Sequence, residues 1–222
     1  MSVITISREF GSLGDDIARG VAQTLGYHFV DKQFFGTILG QYGYVEFDKE
    51  YQTLPGFWER FDAQKEKQRE VTVTMLNRVI QVVAHHGNVV ILGRSGFEVL
   101  GGFADVFHVR LQAPRPVRIR RVMEQQGLAY DEAESVVKEN DKVRLAFVEE
   151  FYKVPWDSIH AFDLVINTGK ISPNLATEWI VRAVRTQTQE LKDDIPTIAS
   201  IPVDRIMAEA VSEVLACQLL HR

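Results

Sequence analysis

Ile4-Thr5-Ile6-Ser7-Arg8-Glu9-Phe10-Gly11-Ser12-Leu13-Gly14-Asp15-Asp16-Ile17-Ala18 is the stretch around which the rest of the chain is organised. Val3 to Ile6 is a β-branched run that reads as a buried strand. Gly11 and Gly14 end it in a turn. Ile17, Ala18, Val21, Ala22 and Leu25 then recur at helical spacing until Gly26 closes the pattern. A strand turning through glycine into a helix aims free backbone N–H groups at one point in space, which suits an anion. The same residues also suit an ordinary β–α turn, with the glycines serving close packing and Asp15 and Asp16 opposing the helix dipole.

Outward from that stretch, the composition is that of a globular chain. Its 222 residues are 45% hydrophobic and 25% charged, enough for one domain with a full core. The net charge of −5 and pI of 5.7 give no global electrostatic case for nucleic acid. No apolar run is long enough to span a bilayer, and Met1-Ser2-Val3 leads into a strand, so no membrane association and a cytoplasmic location are expected. The single cysteine, Cys217, excludes an internal disulfide and a cysteine-based zinc cluster.

Strands are expected near residues 3, 27, 88, 104 and 162, alternating with helices. That alternation predicts an α/β fold of three layers, a five-stranded parallel sheet with helices on both faces and Val3–Ser7 at its centre. Tyr27-His28-Phe29-Val30 ends in Asp31-Lys32, and in open α/β sheets the C-terminal ends of the strands are where ligands bind. Residues 33–56, rich in aromatics and glycine (Phe34, Phe35, Gly36, Gly40, Tyr42, Gly43, Tyr44), read either as a substrate-binding insert or as a loop with aromatic plugs. Residues 57–86 read as one helix, charged first and striped with Val71, Met75, Val79, Val82 and Val83 later; His85-His86 suits a helix C-terminus better than a metal. The apolar run Asn88 to Leu92 leads straight into Gly93-Arg94-Ser95-Gly96. After Ala113-Pro114, a helix to about Gln126 carries Arg115, Arg118, Arg120 and Arg121. A further helix, with Asp131 as its expected cap, runs through Asn140-Asp141-Lys142-Val143-Arg144 to about Lys153. Beyond a linker from Asp193 to Pro202, the stripe Val203, Ile206, Met207, Ala210, Val211, Val214, Leu215 and Leu219 packs either on its own domain or across a two-fold axis as a homodimer contact.

A P-loop reads G-x-x-x-x-G-K-[ST]. Anchored on Gly11, the first glycine slot holds Arg8 and the lysine slot holds Gly14; the hydroxyl slot is taken at Asp16, two further on. The turn and the helix start survive while the lysine and hydroxyl do not. The dinucleotide pattern G-x-G-x-x-G also fails, since only Gly11-x-x-Gly14 is present.

Six segments nevertheless follow one another in a particular order: Ile6-Ser7-Arg8-Glu9-Phe10-Gly11-Ser12-x-Gly14, Phe29-Val30-Asp31-Lys32, Gly93-Arg94, Arg118-x-x-Arg121, Asp141-Lys142-x-Arg144 and Asp163-Leu164-Val165-Ile166-Asn167-Thr168. This order resembles the cytidylate kinase-like family, a divergent branch of P-loop nucleoside monophosphate kinases, from about Ser2 to Val184. The resemblance implies a P-loop NTPase-like domain over residues 1–190, with 33–86 as an acceptor-binding insert and 127–155 as a lid, followed by a linker and amphipathic helix over 191–222. It implies ATP and Mg2+ as cofactors and a nucleotide or other phosphorylated small molecule as partner. The turn Arg8, Gly11, Ser12, Leu13, Gly14, Asp15 and Asp16 would hold the donor phosphates. Asp31, Lys32 and Arg94 would face the acceptor, and Arg118, Arg121, Lys142 and Arg144 would close over the transferring group as catalytic cations. Ser95 stands where cytidylate kinases carry the aspartate of Gly-Arg-Asp, which puts cytosine recognition in question.

These residue types fit phosphoryl transfer, which is mostly positioning and charge neutralisation; guanidinium groups grip phosphate in two places at once. Asp15 and Asp16 work against it, since a carboxylate about 5 Å from a phosphate charge repels it by about 3 kcal/mol. Asp16 as a Mg2+ ligand would turn that repulsion into binding; pointing the acids away as helix caps is the alternative. Arg8 and Lys32 are the candidates to replace the missing lysine charge. Three functions follow: a phosphotransferase, a nucleotide or anion sensor without turnover, and an interaction protein working through its tail helix.

Overall fold

The computed structural model describes residues 2–43, 63–187 and 195–219. In chain order its main elements are β1 (Val3–Arg8), α1 (Gly14–Leu25), β2 (His28–Val30), α2 (Lys32–Gln41), α3 (Ala63–His86), β3 (Val89–Leu92), the one-turn α4 (Gly96–Val99), β4 (Val106–Gln112), α5 (Arg115–Gln126), α6 (Tyr130–Tyr152), β5 (Leu164–Asn167), α7 (Pro173–Gln187) and α8 (Arg205–Leu219). The five strands form one all-parallel sheet in the order β2-β3-β1-β4-β5, with β1 in the middle as its sequence predicts. Ile4 is in register with Val90 on one side and Phe107 on the other.

Each face of the sheet buries every second residue. Ile4, Ile6, Val90, Leu92, Val109, Leu111 and Ile166 meet Ile17, Val21, Ile180 and Val184 of α1 and α7. On the other face Val3, Val89, Ile91 and Val106 pack under α2, α3 and α8. This second face changes character along the strands. Past Val3 and Val106 come Thr5, Ser7, His108 and Arg110, all buried. The register sets Thr5 beside His108 and Ser7 beside Arg110. His108 Nδ1 lies 2.7 Å from Thr5 Oγ1, and Arg110 Nη1 donates to Ser7 Oγ at 2.8 Å. Such pairing is what lets polar groups sit inside a sheet stack. The polar end is the C-terminal end of the strands, where the candidate site lies.

Three local readings change. Residues 32–41 are helical rather than loop-like: the Asp31 carboxylate accepts from the N–H groups of Gln33 and Phe34 at 2.9 and 3.2 Å, and Phe34, Phe35, Ile38 and Leu39 are buried at helical spacing. Gly36 and Gly40 hide that periodicity in the sequence. Residues 44–56 of the expected insert, together with residues 57–62 of the long helix, lie outside the described residues. Second, the cap of α6 is Ala129, not Asp131; the Glu132 carboxylate reaches back to the Ala129 N–H at 3.1 Å. Asp131 sits in the first turn, where its charge opposes the helix dipole.

Third, the apolar stripe of α8 is narrower than its spacing suggests. Met207, Val211 and Leu215 are buried against α2 and α3 of the same chain, while Ile206 is 70% exposed. The described part of the linker before α8 is tied down. Ile198 donates its N–H to Asp105 Oδ1 at 2.8 Å, and Ala104 donates to Pro196 O at 2.9 Å, so residues 195–202 lie against the start of β4.

Candidate functional site

Between β1 and α1, Gly11 has φ +78° and Leu13 φ +61°. A Cβ at Gly11 would also fall 3.0 Å from Arg118 O, so the tight approach of α5 demands glycine there. The carbonyls of the turn point into the protein and are satisfied there. Glu9 O accepts from Ser12 Oγ at 2.8 Å and Phe10 O from Arg118 at 3.1 Å; Gly11 O accepts from Arg121 at 3.2 Å and Ser12 O from Thr168 at 2.9 Å. The first N–H groups of α1 have no acceptor within the helix, and Leu13 brings no side-chain cap. The turn is therefore built with its carbonyls anchored and with no side-chain cap from Leu13 on the start of α1.

Arg118 and Arg121 brace this turn. Arg118 is buried, ion-paired with Asp141 at 2.5 Å and Glu9 at 3.4 Å, and donates to Ala113 O at 3.0 Å. Arg121 reaches Thr168 O at 2.7 Å, and partial burial lowers its pKa. Asp141 completes the brace from α6 by accepting from the Phe10 N–H at 3.0 Å. Asp141, Glu9 and Thr168 are neighbours of these arginines and of the turn to which the sequence reading gives no role; Glu9 and Asp141 share their segments with Arg8 and Arg144, whereas the segment Asp163–Thr168 carries no arginine.

Beside the turn, at the C-terminal ends of β1 and β3, a cavity of 420 Å³ opens beneath α6. Arg8, Lys32, Arg94 and Arg144 line it from four different elements, and among the described residues Glu139 is the one carboxylate in its wall. Phe97, Val148 and Trp156 form an apolar side. The α6 residues Glu139, Asn140, Val143 and Arg144 share the face over the cavity because they are one turn apart. The loop after β3 is unusual: Gly93, Arg94 and Ser95 have φ of +73°, +58° and +55° in succession. Left-handed geometry costs an ordinary residue about 1–2 kcal/mol, and such strain collects at ligand sites. Ser95 Oγ is buried there without a hydrogen-bond partner among the described residues.

Gly11, Ser12, Leu13, Gly14, Asp15 and Asp16 do not line this cavity, and neither do Asp31 or Lys142. Asp15 and Asp16 are exposed in the first turn of α1. With Gly14 as the first helical residue and the lysine slot, the position directly after it is Asp15, so the P-loop hydroxyl slot belongs to Asp15 and not to Asp16. Asp31 caps α2 and pairs with Arg19 at 3.3 Å, and Lys142 is exposed on α6. Arg110 lies behind the cavity, its guanidinium carbon 4.1 Å from the centre of the Trp156 ring, and burial lowers its pKa. Its signal in the sequence is a charge alternating with His108 inside an otherwise apolar strand.

The family model described as the cytidylate kinase-like family matches residues 3–170. The chain belongs to the cytidylate kinase-like family. A cytidylate kinase from Ignicoccus hospitalis is 28% identical over 183 residues, which are 82% of this chain and 98% of that protein. One from Pyrobaculum calidifontis is 28% identical over 177 residues, 78% of this chain and 88% of that protein. The solved structure of an uncharacterized protein from Eubacterium ventriosum has the same fold, with a TM-score of 0.64 at 20% identity over 84% of this chain and 99% of that one. The match of the family model ends just past Thr168, so α7 and α8 lie beyond it. Among the described residues, no helix is long and apolar enough to cross a membrane, and no group of three or more His, Cys, Asp or Glu side chains could hold a metal ion alone.

Proposed function

We propose that this chain moves a phosphoryl group from ATP-Mg2+ to a nucleotide or another small phosphorylated acceptor. The observation that carries this is the meeting of Arg8, Lys32, Arg94 and Arg144 around one cavity at the sheet's C-terminal edge, beside a glycine turn whose carbonyls are all anchored. Family membership supports it, as do curated relatives named cytidylate kinase. Arg8 and the start of α1 would hold the donor phosphates. Lys32 and Arg94 would hold the acceptor, and Arg144 would neutralise charge on the transferring group from above. Arg118 and Arg121 serve the same reaction by fixing the turn.

Mg2+ is bound mainly through phosphate oxygens plus one or two carboxylates, and the exposed Asp15 and Asp16 at the start of α1 suit that donor set. When bound, the ion neutralises developing phosphate charge. The neutral hydroxyl of Ser95 makes an acceptor other than cytidylate equally compatible with the strained loop. A sensor without turnover is the second reading, favoured by the missing lysine at position 14.

The test is a phosphoryl-transfer screen of ATP-Mg2+ against all nucleoside monophosphates and a panel of phosphorylated sugars and acids. Transfer to at least one acceptor is expected. Nucleotide binding without transfer to any acceptor would establish the sensor, and no binding at millimolar ATP-Mg2+ would remove both readings.

A further inference from the structure

The P-loop pattern places a lysine directly after its last glycine, reaching the β- and γ-phosphates. Here that position is Gly14, and the space a side chain would take is already filled. A Cβ built on Gly14 would lie 2.6 Å from Cγ and 2.8 Å from Cβ of Arg8. Those atoms are close to the Arg8 backbone and cannot swing aside as a side-chain tip can. The arginine then runs on towards the loop after β3, where a Cβ built on Gly93 would strike its Nη1. Arg8 is thus threaded between two glycines, its stem across Gly14 and its guanidinium against Gly93, and it lines the cationic cavity. In the P-loop pattern position 8 is the first glycine and position 14 the lysine; in this chain the glycine and the cation have changed places.

We infer that Arg8 is the donor-phosphate cation of this site, and that Arg8 and a lysine at position 14 are alternative occupants of one space. The inference rests on the phosphotransfer reading above. The cation then comes from the end of the central strand instead of the first turn of the helix. A guanidinium in that place grips phosphate oxygens in two places, where an ammonium acts as a point charge.

Two measurements on the full chain test this. The first reads geometry alone, by thermal unfolding without ligand. Gly14→Ala should lower the melting temperature of the natural chain, and should be neutral or raise it once Arg8→Gly has emptied the space, since alanine is the better helix former. Equal effects of Gly14→Ala in the two backgrounds would overturn the shared-space claim. The second reads ATP-Mg2+ affinity. Arg8→Gln, which keeps the stem and removes the charge, should weaken binding by about tenfold or more, as expected for loss of a hydrogen bond between charged groups. Gly14→Lys alone should not strengthen binding. Arg8→Gly with Gly14→Lys should recover most of the affinity that Arg8→Gly loses, a rescue that a purely structural arginine would not give. Binding by the natural chain that is indifferent to Arg8→Gln, or a double variant no better than Arg8→Gly, overturns this inference alone. A natural chain that binds no ATP-Mg2+ overturns the phosphotransfer reading as well.

Discussion

His108 shows how a single residue ties the sheet to the site. It is buried on β4 with Nδ1 2.7 Å from Thr5 Oγ1, and its own N–H donates to Asp163 Oδ2 at 2.7 Å. Burial lowers the imidazole pKa, against a weaker raising effect of Asp163. The sign of the pH effect follows. Above the unfolded value of about 6.5 both states hold a neutral ring and stability does not depend on it. Below that value the unfolded chain takes up a proton that the native chain resists, so stability falls as pH falls towards the folded pKa. One proton sets the slope at no more than about 1.4 kcal/mol per pH unit. Urea unfolding at about pH 7.5 and about pH 5.5 checks this: His108→Gln, which keeps a partner for Thr5, should lose less stability between the two than the natural chain. An identical loss would show that His108 does not titrate in this window. Position 108 is readable in the sequence only as a histidine inside an apolar run; its partner Thr5 is 103 residues away and is assigned by strand order alone.

At the scale of elements, α6 both braces the turn and covers the cavity, and adjacent turns of one helix divide the work. Asp141 holds Arg118 and the Phe10 N–H, while Arg144 lines the cavity. Replacing the two residues should therefore have different consequences. Asp141→Ala leaves Glu9 as the one carboxylate paired with the buried Arg118 among the described residues, and the Phe10 N–H without its acceptor, and should cost about 2 kcal/mol of stability. Arg144→Ala should leave the melting temperature close to that of the natural chain and lower phosphoryl transfer, or nucleotide affinity if the chain only binds. Measuring both properties for both variants separates the roles, and an unfolded Arg144→Ala protein would show that the cavity wall is structural. The extents of α1, α5 and α6 are legible in the sequence because each keeps its apolar positions between recognisable ends. Helix α2 is not, since Gly36 and Gly40 occupy its solvent side and two adjacent aromatics disguise the period. The cap at Ala129 is missed because a glutamate side chain, not the residue at the cap, satisfies the free N–H group.

Across the whole molecule, the order of the motifs along the chain is enough for the family and the sheet, because a βαβ alternation with buried strands leaves few topologies open. The resemblance names Arg8, Lys32, Arg94 and Arg144 among its site residues but does not separate them from Arg118, Arg121 and Lys142, which do not line the cavity; that selection is made by the strand order β2-β3-β1 and by the lie of α6. The part beyond the family match obeys the same logic of burial. Met207, Val211 and Leu215 of α8 are at most 5% exposed, and they share one hydrophobic cluster with Leu76 and Val83 of α3 and Ile38 and Leu39 of α2. Burying a large aliphatic side chain is worth about 1.5–3 kcal/mol, so three on one side, with the apolar surface they cover on the other, sum to a large part of the roughly 5–15 kcal/mol that a domain has in hand. The Ile198–Asp105 and Ala104–Pro196 hydrogen bonds clamp the same segment to the start of β4. Helix α8 should therefore behave as part of the domain and not as a detachable arm. Val211→Asp, a charge placed at a fully buried position, should lower the melting temperature sharply at every protein concentration, because the contact it breaks lies within one chain. A contact between two copies would instead give a melting temperature that rises with concentration in the natural chain and a loss that shrinks on dilution. Thermal unfolding of both proteins over a hundredfold concentration range decides between these, and a concentration-dependent natural chain would move the role of α8 from the domain to its assembly.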